Sequence, residues 1–288
     1  SIGGFFAPEL KRAGYDGIVV TGRASRPLWL SITSQAVELK DASHLRGRTN
    51  GETQLYIRKK MGEQARFLTI GPGAENGSRI GTIATDVGGN GSRGFGSIMG
   101  SKGLKAIAVR GTGKIAVADP GKISAIRKAV REMRGEGFFN LYGKPLSLPG
   151  VEVVRKVHCH GCPQGCWRTL HRSPSGEEGV RKCQTPLFYS LWSSRFPETA
   201  TEVSFRAASL VDDYSLCVIE MTFLLLWLEK CFKQGILSDA NTGLPLSRLG
   251  SMEFFESMLH MVSSGEGFGK ILAQGVARAG EAVGEESK

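Results

Sequence analysis

The chain predicts an α+β fold: a β-sheet-rich N-terminal base over residues 1–115, followed by a mainly α-helical domain over 116–288. Three observations carry this. Short apolar runs separated by Gly-rich turns fill the first part. The pattern changes after Gly111-Thr112-Gly113, where Asp119-Pro120 offers a capping side chain and then a residue pre-set for a first helical turn. At 288 residues the chain is long enough for two ordinary cores.

In order, Ile18-Val19-Val20, Leu28-Trp29-Leu30, Phe67-Leu68-Thr69-Ile70 and Leu104 to Val109 read as strands. One helix interrupts them, from Glu52 to about Gln64, and turns at Gly71-Pro72-Gly73 and Gly88-Gly89-Asn90-Gly91 punctuate the segment. A basic amphipathic helix runs from Asp119 to about Arg134. A cysteine-bearing loop follows, then helices over Thr201–Asp212, Cys217–Gln234, Met252–Val262 and Gly269–Val283.

Hydrophobic content of 41% with 22% charged residues places the chain among soluble globular proteins. Its most apolar run, Leu216–Leu228, contains Glu220 and is too short to span a bilayer, so no membrane association is expected. The formal charge of +10 is spread along the chain, with no run that interleaves cations with aromatics, and nucleic acid is not expected as a partner. Six cysteines are too few for a disulfide scaffold, and three of them cluster; that usage favours a reducing cytosol and metal binding, hence a cytoplasmic location.

The cluster is Cys159-His160-Gly161-Cys162-Pro163-Gln164-Gly165-Cys166. A tight loop with two glycines and a proline can aim the three thiolates of Cys159, Cys162 and Cys166 at one centre. Soft anionic ligands suit an iron–sulfur cluster that takes its fourth ligand from elsewhere. The competing reading is a structural zinc site completed by His158, His160 or His171. The loop Arg93-Gly94-Phe95-Gly96, preceding a strand, and the turn Gly71–Asn76 could bring backbone amides against a bulky anion, though neither has the spacing of a dinucleotide or P-loop site.

Taken together in order, these segments resemble the tungsten-containing aldehyde ferredoxin oxidoreductases. Gly3 to Val20 resembles the family's GG-x-F-x-x-ELK-x-AGYD segment, and Gly71-Pro72-Gly73-Ala74-Glu75-Asn76 its GPAGEN turn. Arg93 to Lys102 resembles RGG-x-GAVMGSK, Cys159 to Cys166 the CxxCPxGC loop, and Asp212 to Cys217 the DxxGL(C/D) pterin motif. Gly267 to Gly275 is similar to a segment of the helical domain.

The resemblance implies a tungsten (or molybdenum) bis-pterin beside a 4Fe-4S cluster, in an anaerobic enzyme that oxidises an aldehyde to a carboxylic acid and passes electrons to ferredoxin or another electron-carrier subunit. It implies Cys159, Cys162 and Cys166 as cluster ligands, and Arg93, Gly94, Gly96, Glu75, Asn76, Asp212 and Cys217 as cofactor contacts. Homo- or hetero-oligomers fit such an enzyme. The resemblance also implies a fragment: a segment before Ser1 and a whole third domain would be missing, with the fourth cluster cysteine in it, and the isolated piece would be inactive.

Two departures from the family pattern matter. Ser215 replaces a usual glycine. Tyr189 stands where aldehyde-oxidising members carry a glutamate proposed to move protons, which makes Tyr189 the candidate at the catalytic position, although a phenol is a poor base at neutral pH. This opens a second reading, a branch similar to the catalytic subunit of class II benzoyl-coenzyme A reductase, which reduces an aromatic acyl-CoA. A third reading, of another class, is a non-catalytic zinc-stabilised binding domain.

Overall fold

A computed structural model describes residues 2–86, 88–91, 93–133, 148–162, 168–181 and 185–287. The fold is α+β. The base comprises α1 (Phe6–Arg12), β1 (Leu28–Thr33), β2 (Val37–Asp41), α2 (Asn50–Met61), β3 (Arg66–Thr69), α3 (Pro72–Glu75), β4 (Ile83–Thr85), β5 (Asn90–Gly91), α4 (Phe95–Ser101) and β6 (Leu104–Arg110). These strands form a six-stranded sheet of order β2-β1-β6-β3-β4-β5, in which β1 and β6 are parallel and the other pairs antiparallel.

β6 sits inside the sheet and is buried up to Val109, as its near-continuous apolar run requires of a strand covered on both faces. Ile107 and Val109 pack with Phe6 and Leu10 of α1 and Met99 of α4. Ala106 and Ala108 point the other way, onto Ile57 and Met61 of α2. The capping box of α2 is complete: Thr49 accepts from the Glu52 N–H, and the Glu52 carboxylate accepts from the Thr49 N–H at 2.9 Å.

α5 (Pro120–Glu132) follows, capped by Asp119, which accepts from the Lys122 N–H at 2.9 Å. Then come β7 (Glu152–Lys156), β8 (Thr169–Arg172) and β9 (Glu178–Arg181), a three-stranded antiparallel sheet. The helical region consists of α6 (Thr185–Arg195), α7 (Ala200–Asp213), α8 (Val218–Lys233), α9 (Asp239–Thr242), α10 (Met252–Ser264), α11 (Gly269–Leu272) and α12 (Val276–Val283). Trp192, Phe205, Leu224, Leu228, Phe254 and Phe255 fill one core among its longer helices. Among the described residues no helix is long and apolar enough to cross a membrane.

Four sequence expectations change. Ile18-Val19-Val20 is not a strand: its side chains are only partly covered, and Val19 is 89% exposed. Gly96 lies inside α4 rather than in a loop. The span 269–283 is two helices, because Gly275 (φ 91°) interrupts it. The second part carries the β7–β9 sheet and α6 in addition to the expected helices.

Base and helices are joined by backbone hydrogen bonds. Gly73 donates to the Tyr214 carbonyl at 3.0 Å, Thr82 to Ser215 at 2.8 Å, and Cys217 to Ile80 at 3.0 Å. Arg79 donates to Ala273 at 2.9 Å, which ties in the turn after α11.

Candidate cofactor site

The segment 212–217, between α7 and α8, is seated on the Gly71–Asn76 turn. Ser215 is the one non-glycine residue with positive φ among those described (59°), and it is fully buried. Its hydroxyl accepts from the Gly71 N–H at 2.7 Å and from Asn50 Nδ2 at 2.8 Å. Asn50 Nδ2 also reaches the Asp212 carbonyl at 2.8 Å, and Asn50 Oδ1 accepts from the Thr69 hydroxyl at 2.8 Å. A serine is held in the left-handed region here because its hydroxyl satisfies two buried donors.

Several candidates have structural partners. Glu75 accepts from the Gly47 N–H at 2.8 Å and pairs with the buried Lys105 at 3.1 Å. Burial pushes the Lys105 pKa down, and the Glu75 charge opposes that shift. Asn76 Nδ2 donates to the Ser263 carbonyl at 2.9 Å. Arg93 pairs with Glu220 of α8. A Cβ on Gly96 would lie 2.3 Å from the Thr82 carbonyl oxygen, so close packing of α4 on the β4 edge requires this glycine. Gly94 begins α4 in a left-handed conformation (φ 85°). Cys217 is 8% exposed and belongs to the helical core.

Asp212 instead lines a cleft of about 530 Å³ between the two parts, in the size range of small-molecule and cofactor sites. Its walls are Asn50, Gly51 and Gln54 of α2, Thr85, Gly88 and Gly89 of the β4–β5 turn, β9, and the C-terminal end of α7. A second cleft of about 600 Å³, along Pro149, Pro174 and Phe205, includes none of the candidate residues.

The cysteine loop is linked to the glycine wall through Arg168. Cys159 is partly buried and Cys162 exposed, and the Cys162 N–H closes on the Cys159 carbonyl at 3.1 Å. The loop is pinned to the N-terminal segment: His160 donates its N–H to the Gly4 carbonyl at 3.1 Å and sets its ring edge-on to Phe5 at 6.0 Å. A Cβ on Gly3 would stand 2.7 Å from the Cys159 sulfur, so only glycine admits the thiol there. Arg168 donates from Nη1 to Cys159 Sγ at 3.3 Å. Its Nη2 lies 3.0 Å from where a Cβ on Gly89 would be. One guanidinium thus spans from the cleft wall to the first cysteine. Cys166 and Cys183 lie outside the described residues.

Tyr189, on α6, is 1% exposed, and its oxygen accepts from Arg181 Nε at 2.9 Å. Burial pushes its pKa up to about 12 despite the opposing charge of Arg181. It is no base at neutral pH. His171, a candidate fourth ligand in the zinc reading, is 4% exposed beside Tyr189, with Nε2 on the Thr169 hydroxyl; burial, aided by Arg181, pushes its pKa down to about 4. Arg168, Arg181 and Asn50 escaped sequence reasoning. Only Arg168 had a local signal, standing two residues after Cys166.

Residues 1–111 match the family model described as aldehyde ferredoxin oxidoreductase, N-terminal domain, and residues 129–288 that for domains 2 and 3. The tungsten-containing aldehyde ferredoxin oxidoreductase of Pyrococcus furiosus is 30% identical, over 98% of this chain and 52% of its own length. That of Pyrococcus horikoshii is 28% identical, over 97% and 52%. A chain of the solved active site complex BamBC of benzoyl coenzyme A reductase, with 1,5-dienoyl-CoA, matches 99% of this chain with a TM-score of 0.83 and 25% identity, over 50% of its own length. The chain thus spans about half the length of these relatives.

Proposed function

The chain belongs to the aldehyde ferredoxin oxidoreductase family, and on that premise we propose that it forms the cofactor-binding half of a tungstopterin, iron–sulfur oxidoreductase that converts an aldehyde to a carboxylic acid. The overall reaction takes aldehyde and water to acid, two protons and two electrons, with ferredoxin or another electron-carrier subunit as acceptor. The observation that carries the reading is the single guanidinium of Arg168, in contact with the cleft's glycine wall on one side and Cys159 on the other.

The residues present fit the groups the family implies. Cysteine thiolates are the donor set for iron and sulfide, and Gly88 and Gly89 line the same cleft as Asp212, where the absence of side chains lets Val180, Thr85 and Arg168 pack close to the backbone. Cys159 and Cys162, with Cys166, would hold a 4Fe-4S cluster. Asp212, Gly88, Gly89 and the start of α2 would hold a pterin, with Arg93, Gly94 and Gly96 shaping the loop and helix beside it. When bound, the pterin-held tungsten or molybdenum supplies two-electron redox chemistry and the cluster single-electron transfer. The chain's own contribution is to position these groups and to close the base onto the helices through Ser215 and Asn50.

A second reading, reduction of an aromatic acyl-CoA, is favoured by Tyr189. A phenol pushed up to about 12 does not replace the proton-moving glutamate of aldehyde-oxidising members.

Anaerobic purification of the intact protein tests both readings. Iron, sulfide and about one tungsten or molybdenum per chain are expected, with reduction of a viologen dye on adding aldehydes. A colourless protein containing only zinc would overturn the proposal. Metal and cluster without aldehyde turnover, but with oxidation of reduced dye by an aromatic acyl-CoA, would move the assignment to the second reading.

A further inference from the structure

Arg168 is 9% exposed, yet among the described residues it has no carboxylate partner. Its Nε is buried without a hydrogen bond, and the partner found for the rest of the group is Cys159 Sγ at 3.3 Å. A guanidinium does not shed its proton in a protein. Burying an unpaired cation costs several kcal/mol, so such a site calls for a negative charge. The protein also clears space for this contact: Gly3 and Gly89 flank it, and a Cβ on either would crowd Cys159 Sγ or the guanidinium.

We propose that Arg168 sets the reduction potential of the iron–sulfur cluster held by the Cys159 loop, as a charged hydrogen-bond donor to a ligand sulfur; the inference rests on the cluster reading above. One-electron reduction adds a negative charge to the cluster. A fixed buried cation and an N–H···S bond stabilise that form more than the oxidised one and so raise the potential. The same contact is withdrawn from solvent, where it is least screened. A cluster that accepts an electron readily serves oxidation of substrate, with electrons leaving toward the carrier, better than low-potential reduction. Arg168 is thus a positioning and tuning residue rather than a catalytic one.

The test is a potentiometric titration of the intact protein, purified anaerobically. Dithionite serves as reductant with mediator dyes, and the reduced cluster is followed by electron paramagnetic resonance. For Arg168→Gln, iron content is expected to match the wild type. The ratio of reduced to oxidised cluster at a fixed potential should fall about tenfold, a midpoint about 59 mV lower for one electron. Arg168→Lys, which keeps the charge but not the planar fork, should lie between the two. Unchanged midpoints at equal iron content would overturn the tuning role. If the Gln variant does not retain iron, the Lys variant decides: a lowered midpoint sustains the proposal, and a wild-type midpoint or loss of iron there overturns it. A wild-type protein that binds no cluster would bring down the cluster reading first, and this inference with it.

Discussion

Two contact zones join the same pieces of chain, and they are built differently. At the junction of the Gly71 turn with residues 212–217, the key polar groups find protein partners: Ser215, Asn50, Gly71 and Thr69 form a closed hydrogen-bonded set. Beside the cysteine loop, among the described residues, Arg168 Nε is buried without a hydrogen bond, and so is His171 Nδ1 further along β8. Buried polar groups are nearly always satisfied, so an exception calls for a reason. The first zone closes its backbone junction with protein partners and maintains the fold, Asp212 Oδ1 at the cleft edge being its exception. Among the described residues the second has an unpaired buried donor at Arg168, the condition expected where something else binds.

The largest effect that would sharpen this contrast is Gly71→Ala. The backbone there is extended and open to any residue (φ −98°, ψ −174°), so the cost is wholly close approach. A Cβ would sit 2.4 Å from the Asp213 carbonyl oxygen, a backbone atom with no freedom to swing away. A loss of about 4 kcal/mol or more is expected in urea unfolding. A loss below about 1 kcal/mol would mean that the junction is looser than described.

Next is the pH dependence of His171, on the other side of the comparison. Its folded pKa is about 4, against the ordinary imidazole value of 6.5. Above pH 6.5 both folded and unfolded states are neutral and stability is unaffected by this group. As pH falls from 6.5 toward 4, the unfolded chain takes up a proton that the folded chain refuses, so stability drops, by about 3 kcal/mol at the lower end. His171→Gln removes the titration, and its stability should fall less over that window. Parallel wild-type and variant curves would show that the imidazole is not held neutral.

Ser215 gives a smaller and more diagnostic effect. Ser215→Ala leaves the left-handed backbone in place and strips the acceptor from two buried donors, for a loss of about 2 kcal/mol. Ser215→Gly loses the same bonds but relieves the backbone, and should be the better variant by roughly 0.5–1 kcal/mol. The reverse order would mean that the positive φ carries no strain.

These residues also show how far the sequence reaches. β6 and α8 were legible because their apolar runs match the burial each element needs. The second sheet was not. β7 reads Glu-Val-Val-Arg-Lys with largely exposed side chains, and it exists by pairing with β8 rather than by burying a face. Ile18–Val20 failed in the opposite sense: β-branched residues favour a strand only where a partner strand is available. At the proposed site, the cysteines and the glycine turns stood out through local spacing, and Asp212 through the family resemblance. Asn50 and Ser215 are 165 positions apart, and no local pattern signals such a pair. Arg181 is recognisable only once β9 and α6 bring it onto Tyr189.

The smallest expected effect sets the zero for both zones. α5 connects the segments matched by the two family models, and none of its residues is buried. It is held by its cap, its Pro120 start and its own backbone, and Ile126 is 61% exposed on it. Ile126→Glu removes little buried apolar area and adds a charge that water can solvate, so stability should change by less than about 0.5 kcal/mol. The new carboxylate lies four residues after Lys122, an i,i+4 pair in the weaker Lys-to-Glu order, so only a few tenths of a kcal/mol (about 0.2–0.5) reward it. A loss of about 2 kcal/mol or more in the intact protein would show that this face is covered there, because only burial makes a charge that costly. The contrast between a closed junction and an open cysteine end would then extend to a third contact surface, on α5.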